Sequence, residues 1–186
     1  IGSLSLIKNK NLSNNFFITN CDITIKSDFK KIEFNDNKNI LSVGSAAKDI
    51  DVSKFCLENS ISGFEFLSGI PGTIGGNLKM NAGCFGHQIS DRLLDCTILD
   101  KNLKIKKLEK KNIYFKYRES SFSDEDIIIE ARFLAKKSQK VQIKKKLLEI
   151  SKKRKKSQPI NYRTGGSTFT NPPSHFAWKL IDAAKF

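Results

Sequence analysis

The chain has 186 residues, 39% of them apolar, and a formal net charge of +14, enough material for one sizeable core and a second smaller domain. That composition excludes a disordered chain, no run of about 18 apolar residues supplies a membrane span, and no charged-then-apolar leader opens the sequence. The charge invites a nucleic-acid reading, but only five of the 33 basic residues are arginine. Lys, Asn, Ile and Phe are all abundant and all have A/T-rich codons, so the lysine excess reads as a solvated surface.

Cys21, Cys56, Cys84 and Cys96 lack CxxC spacing and have only His87 and His175 to assist them. They read as reduced structural thiols of a cytoplasmic protein, and no metal site is expected. The chain opens on Ile1 and stops at AAKF with no closing Gly or Pro, a pattern expected of a fragment.

In chain order, the short alternating runs FFI (16–18), ITIK (23–26), KIEF (31–34) and ILSVG (40–44) predict strands separated by Asn, Asp and Lys turns. Residues 47–59 predict a helix with Ala47, Ile50, Phe55 and Cys56 on its apolar stripe. Strand character returns at CTILD (96–100), LKIKKLE (103–109) and DIIIEARFLA (126–135), the last with Ile127, Ile129, Ala131 and Phe133 on one face. From Ser138 to Lys156 the period becomes helical, through Val141 and Leu148 and through Ile143, Leu147 and Ile150, with a lysine-covered outer face that ends before Pro159. NPPSHFAWKLIDAA then predicts a last helix capped by Ser174, with Phe176, Ala177, Leu180, Ile181 and Ala184 as its stripe.

Three motifs carry chemistry. Residues 68–83, SGIPGTIGGNLKMNAG, hold five of the chain's eleven glycines. Glycine brings backbone close to a ligand and leaves N–H groups free for an anion, yet the spacing is neither GxGxxG nor a Walker loop. A tightly packed strand-to-helix turn is the other reading of this stretch. YRESSF (117–122) retains Arg118 in a lysine-rich chain, as planar contact with a carboxylate or phosphate requires, a surface ion pair being the alternative. TGGSTFTNP (164–172) places Ser167 on uncrowded backbone, as a reactive hydroxyl or a turn residue.

The ordered set EFLSGIPGTIGGNLKMNAGCFG (65–86), YRESSF (117–122), RKKSQP (154–159), TGGSTFTNP (164–172) and AWKLIDAA (177–184) resembles the UDP-N-acetylenolpyruvoylglucosamine reductase family over essentially the whole chain. The resemblance implies an α+β fold: a FAD-binding domain of the vanillyl-alcohol-oxidase (PCMH) type over residues 1–137, then a connecting helix and the start of an α/β substrate-binding domain over 138–186, truncated. It implies FAD and NADPH as cofactors and UDP-N-acetylenolpyruvoylglucosamine as a small-molecule substrate, reduced to UDP-N-acetylmuramate for bacterial peptidoglycan. Neither nucleic acid nor an obligate protein partner is expected. By the same resemblance Gly69, Ile70, Pro71, Gly72, Thr73, Gly75, Gly76, Asn81, Ala82 and Gly83 lie against FAD. Arg118 steadies the substrate carboxylate, Ser167 donates a proton to the α-carbon, and Asn171 touches the uridine diphosphate. The basic tail Lys153 to Lys156 lies where it can meet the diphosphate, with no single lysine singled out.

Two departures accompany the resemblance. The family's Gly-Ser-Asn phosphate element survives only as IGSLSLI (1–7), with Leu4 in place of asparagine, and no glutamate follows Glu149 to match the family's third catalytic group. Residues 1–186 alone are therefore expected to bind FAD weakly and to lack turnover. Two other readings stay open on sequence: a flavin-dependent oxidase on the same fold, and a basic nucleic-acid-binding module.

Overall fold

A computed structural model describes residues 27–157 and 169–184. The runs FFI and ITIK, the IGSLSLI opening, Cys21 and Ser167 lie outside the described residues. In chain order the elements are β1 (Ile32–Asn35), β2 (Ile40–Gly44), α1 (Asp49–Glu58), β3 (Ile61–Ser62), a 3₁₀ turn (Glu65–Gly69) and α2 (Ile74–Met80). There follow β4 (Gly83–Cys84), β5 (His87–Gln88), β6 (Leu93–Leu99), β7 (Ile105–Glu109), β8 (Phe115–Lys116) and β9 (Glu119–Ser120). β10 (Ile127–Leu134), β11 (Lys136–Lys137), α3 (Lys140–Ser157) and α4 (Ala177–Ala183) complete the series.

Five strands form one sheet in the order β1-β2-β10-β6-β7, and each pairing in it is antiparallel. α2 packs on β10 and β2 of this sheet, and the class is α+β, as expected. Strand alternation sets the layers: Leu41 and Val43 of β2, Cys96 and Ile98 of β6, and Ala131 and Phe133 of β10 point into the core. There they meet Val52 and Cys56 of α1 and Ile74 and Leu78 of α2. Phe133 meets the Phe64 ring edge-on, with centroids 5.8 Å apart, a pair worth about 1 kcal/mol beyond its burial. On the sheet's other face Arg132 forks onto Asp95, Nε to Oδ1 at 2.7 Å and Nη2 to Oδ2 at 2.6 Å. That bidentate bond, with Lys107 beside it, holds the Asp95 carboxyl below its ordinary range.

Three expectations shift. In β10 the pairing with β6 slips between Ile128 and Glu130, and this bulge turns Ile128, rather than Ile127 and Ile129, toward the core beside Ala131 and Phe133. In α1 Ile50 is exposed, and the buried face is Asp49, Val52, Ser53 and Cys56. Along α3 only Ile143 is fully buried, with Leu147 and Ile150 half-buried on the helix that packs against the 3₁₀ turn. Val141 and Leu148 face out, since that second stripe meets nothing among the described residues.

The last helix is capped differently too. Phe176 stands at its N-cap position, and Asn171 Oδ1 accepts a bond from Ala177 N–H at 3.0 Å. Ser174 sits before the helix in the left-handed region, φ 62°. The stripe residues Phe176, Leu180 and Ile181 are exposed among the described residues. No described helix is long and apolar enough to cross a membrane.

Candidate active site

The glycine stretch folds into three pieces. Gly69 closes the 3₁₀ turn, residues 70–73 form an extended turn, and Gly75 and Gly76 enter the first turn of α2. The turn is tied to the start of α1 by a short antiparallel bridge between Lys48 and Thr73. In it Asp49 N–H donates to Gly72 O at 3.1 Å and Ile74 N–H to Ala47 O at 3.1 Å. Gly75 N–H donates to Ser45 O at 2.8 Å, and a Cβ on Gly75 would stand 3.0 Å from Ser45 Cβ. Glycine here lets α2 press against the end of β2. Within the described residues no hydrogen bond occupies the N–H groups of Gly72, Thr73 and Gly76. Backbone donors left open in a turn form a concavity suited to an anion or to the polar edge of a ring.

Beneath this turn lies a carboxyl group that sequence reasoning missed. Asp49 has no exposed surface, and its Oδ1 accepts a bond from Asn77 Nδ2 at 2.6 Å. Burial pushes its pKa up from 3.8 to about 7, against the opposing hydrogen bond from Asn77.

α2 ends on Asn81 in the left-handed conformation, φ 41° and ψ 53°, which asparagine tolerates. The buried Asn81 amide donates to Gln88 Oε1 at 3.0 Å and to Lys116 O at 2.8 Å. It thereby fixes both the β4–β5 hairpin and the β8–β9 hairpin. A Cβ at Gly83 would stand 2.3 Å from His87 O, so only glycine fits this strand crossing.

Arg118 occupies the two-residue turn between β8 and β9 at φ 58°. Its guanidinium reaches back to the backbone just described, donating to Gly83 O at 2.8 Å and to Asn81 O at 3.4 Å, and it stacks over the Tyr117 ring at 4.9 Å. No carboxylate pairs with it among the described residues. Among the described residues it is a cation held on neutral carbonyls rather than one half of an ion pair.

A second guanidinium converges here. Arg154 of α3, in the RKKSQP run, is half-buried and donates to Ser68 O at 3.5 Å. Cys84 lies between the two: its thiol donates to Phe66 O at 3.2 Å. Burial raises the thiol to about 11 despite the opposing charges of Arg118 and Arg154, so it is a neutral filler rather than a nucleophile. Cys56 and Cys96 are likewise free thiols, raised to about 12 by burial. Among the described residues no group of three or more His, Cys, Asp or Glu is arranged to hold a metal.

The structure brings Gly69 against Cys84 and Phe85 and ties Arg118 to Asn81 and Gly83. Asn171 is exposed and engaged in capping α4. Asp49, Asn77, Cys84 and Arg154 are additions to the site; the inward turn of Arg154 was foreshadowed only by its being an arginine among lysines.

Comparison with known proteins gives a consistent picture. Residues 9–109 match the FAD binding domain family. The chain is 43% identical over 162 residues to a UDP-N-acetylenolpyruvoylglucosamine reductase of Rickettsia prowazekii, covering 87% of this chain and 54% of that protein. It is 41% identical over 162 residues to the same-named protein of Pelagibacter ubique, covering 86% and 53%. Among solved structures it superposes on the UDP-N-acetylenolpyruvylglucosamine reductase of Thermus caldophilus with a TM-score of 0.73 at 27% identity, covering 84% of this chain and 56% of that one. The chain spans about half the length of the curated relatives it matches.

Proposed function

Because this chain belongs to the FAD binding domain family, as its resemblance led one to expect, we propose that it serves the NADPH-dependent, FAD-mediated reduction of UDP-N-acetylenolpyruvoylglucosamine to UDP-N-acetylmuramate. The observation that carries this reading is the placement of Arg118. Its guanidinium is pinned on the carbonyls of Gly83 and Asn81, and in the same motif the N–H groups of Gly72, Thr73 and Gly76 have no hydrogen-bond partner among the described residues.

That turn fits FAD. A side chain at Gly72 would begin 3.0 Å from Asp49 Oδ2 and 3.3 Å from Asn77 Oδ1, so the backbone itself is the surface offered, and its open N–H groups match phosphate or ring oxygens. Residues 69–76 and 81–83 would hold the group, and residues up to 137 would form its domain, with 138–186 opening a substrate-binding domain. When bound, FAD would supply the hydride-transfer chemistry that links NADPH to the β-carbon of the enol ether.

The protein's own residues handle charge and proton. Hydride addition drives negative charge onto the α-carbon and its carboxylate. A fixed cation aimed at that carboxylate lowers the barrier, because preorganised electrostatic stabilisation is usually the largest catalytic term. Arg118 suits this role, since two of its nitrogens are locked on backbone and guanidinium has further N–H donors for a carboxylate. Ser167 donates the proton to the α-carbon, proximity making a weak acid effective. Asn171 spends its Oδ1 on Ala177 and keeps its amide N–H groups for the uridine diphosphate. Arg154 adds positive charge near Arg118 for an anionic substrate, and the reaction is assigned to the cytoplasm.

The test uses the product of the complete reading frame, supplied with FAD under anaerobic conditions. NADPH absorbance at steady state should fall only when the enolpyruvyl substrate is added. NADPH oxidation that needs oxygen instead of substrate would identify an oxidase. Tight, steeply salt-dependent binding to nucleic acid with no flavin uptake would identify the basic-module reading.

A further inference from the structure

The chemistry assigned to Arg118 and the open turn leaves the buried carboxyl of Asp49 without a part. Asp49 is the first residue of α1 and is fully buried. Its Oδ1 is bonded to Asn77, while its Oδ2 has no hydrogen-bond partner and faces Gly72, where a side-chain carbon would stand 3.0 Å away. Among the described residues no cation pairs with it. An ionised carboxylate so placed would lose its hydration and gain a single bond in return, whereas a neutral acid is desolvated at far lower cost.

The surrounding bonds show what such a group controls. Residues 72 and 73 are suspended between the starts of two helices. Asp49 N–H holds Gly72 O, Asn77 N–H holds Thr73 O at 2.9 Å, and Ile74 N–H holds Ala47 O. The Asn77 side chain closes the ring by bonding Asp49. The carbonyls of Gly72 and Thr73 are thus fixed, and the N–H groups of Gly72, Thr73 and Gly76 are left without a hydrogen bond among the described residues. A negative charge on Oδ2, close against Gly72, would repel an anionic group brought to the donors of this turn.

We propose that Asp49 acts as a neutral acid and, with Asn77, as a positioning residue that clamps the Gly72–Thr73 turn in the orientation that receives FAD. This rests on the FAD reading above. Neutrality serves two ends: it lets the clamp be buried, and it keeps negative charge away from the diphosphate and the flavin ring. The clamp predicts a specific order among substitutions. Asparagine reproduces the neutral acid's shape, its carbonyl accepting from Asn77 and its NH₂ standing where the hydroxyl stood. Alanine removes the bond to Asn77 and leaves a void under Gly72.

The experiment takes the product of the complete reading frame, unmutated and as Asp49→Asn, Asp49→Ala and Asn77→Ala. FAD dissociation constants, measured at about pH 6 where the buried carboxyl keeps its proton, come from quenching of flavin fluorescence, visible flavin absorption gives the spectroscopic signature, and thermal melts without FAD confirm that each variant is folded. Asp49→Asn should bind FAD within about threefold of the unmutated protein and keep its absorption envelope. Asp49→Ala and Asn77→Ala should bind at least tenfold more weakly with altered band structure while still melting cooperatively. Two results overturn the inference alone: Asp49→Asn as weak as Asp49→Ala, which would make the charge essential, or Asp49→Ala as tight as the unmutated protein. Failure of the unmutated protein to take up FAD overturns the functional reading, and the inference with it.

Discussion

Replacing Asp49 by asparagine should change how the fold's stability depends on pH. Burial raises the folded carboxyl from 3.8 to about 7, so between those values the folded state keeps a proton that the unfolded chain releases. A group raised in this way contributes its full stability below its unfolded pKa and loses it as pH climbs toward the folded one. With each pKa unit worth about 1.4 kcal/mol, the rise amounts to about 4 kcal/mol. Stability from this residue should therefore drain away between pH 4 and 7 and level off above. Asp49→Asn keeps the bond with Asn77 and has nothing to titrate, so the mutant should gain on the unmutated protein across that window. At pH 8 the gain should approach about 4 kcal/mol less the cost of burying an amide, which is about 1–3 kcal/mol. Urea denaturation followed by far-ultraviolet circular dichroism at about pH 5, 6, 7 and 8 measures this. Asp95, held low by Arg132, contributes stability that is lost toward acid, below this window. Parallel stability curves for the two proteins from pH 5 to 8 would refute the reasoning, for they would mean that Asp49 titrates as an ordinary surface carboxylate.

Other outcomes follow from the same geometry. Arg118→Lys keeps the charge but cannot hold both Gly83 O and Asn81 O while facing a carboxylate, so stopped-flow should show flavin reduction by NADPH nearly intact and its substrate-dependent reoxidation slowed about 10²–10³-fold. Ser167→Ala should give the same separation of half-reactions, and loss of both would mark a structural serine instead. Gly72→Ala drives a methyl to 3.0 Å from Asp49 Oδ2, which should lower the urea midpoint by the equivalent of about 1–3 kcal/mol and weaken FAD binding in the same preparation.

The strands of the central sheet were legible where alternation is undisturbed, as in ILSVG, whose Leu41 and Val43 are both fully buried. The phase failed in β10, because a bulge between Ile128 and Glu130 shifts the inward set by one residue and leaves no mark in a run of three isoleucines. The helix over 49–58 was visible, and Cys56 and Phe55 of its expected stripe do meet the core, but Ile50 does not and the rest of the buried face was missed. Asp49 and Ser53 are polar residues in core positions, and a hydrophobic stripe drawn through apolar residues alone passes them by. Ser174 had the chemistry of a cap, yet Asn171 supplies the acceptor from the far side of Pro172 and Pro173. The motifs pointed to Arg118 and the glycine turn as separate stretches. That Arg118 is held by the carbonyls of Gly83 and Asn81, and that Asp49 stands under Gly72, depend on contacts between distant segments, which no local period reports.

The most direct test of the central claim is mass spectrometry of the product. The complete reading frame's protein, loaded with FAD, is incubated anaerobically with NADPH and UDP-N-acetylenolpyruvoylglucosamine. The account predicts conversion of the substrate to a species two hydrogens heavier, in step with NADPH consumed. Unchanged substrate beside a fully flavin-loaded, folded protein would contradict it.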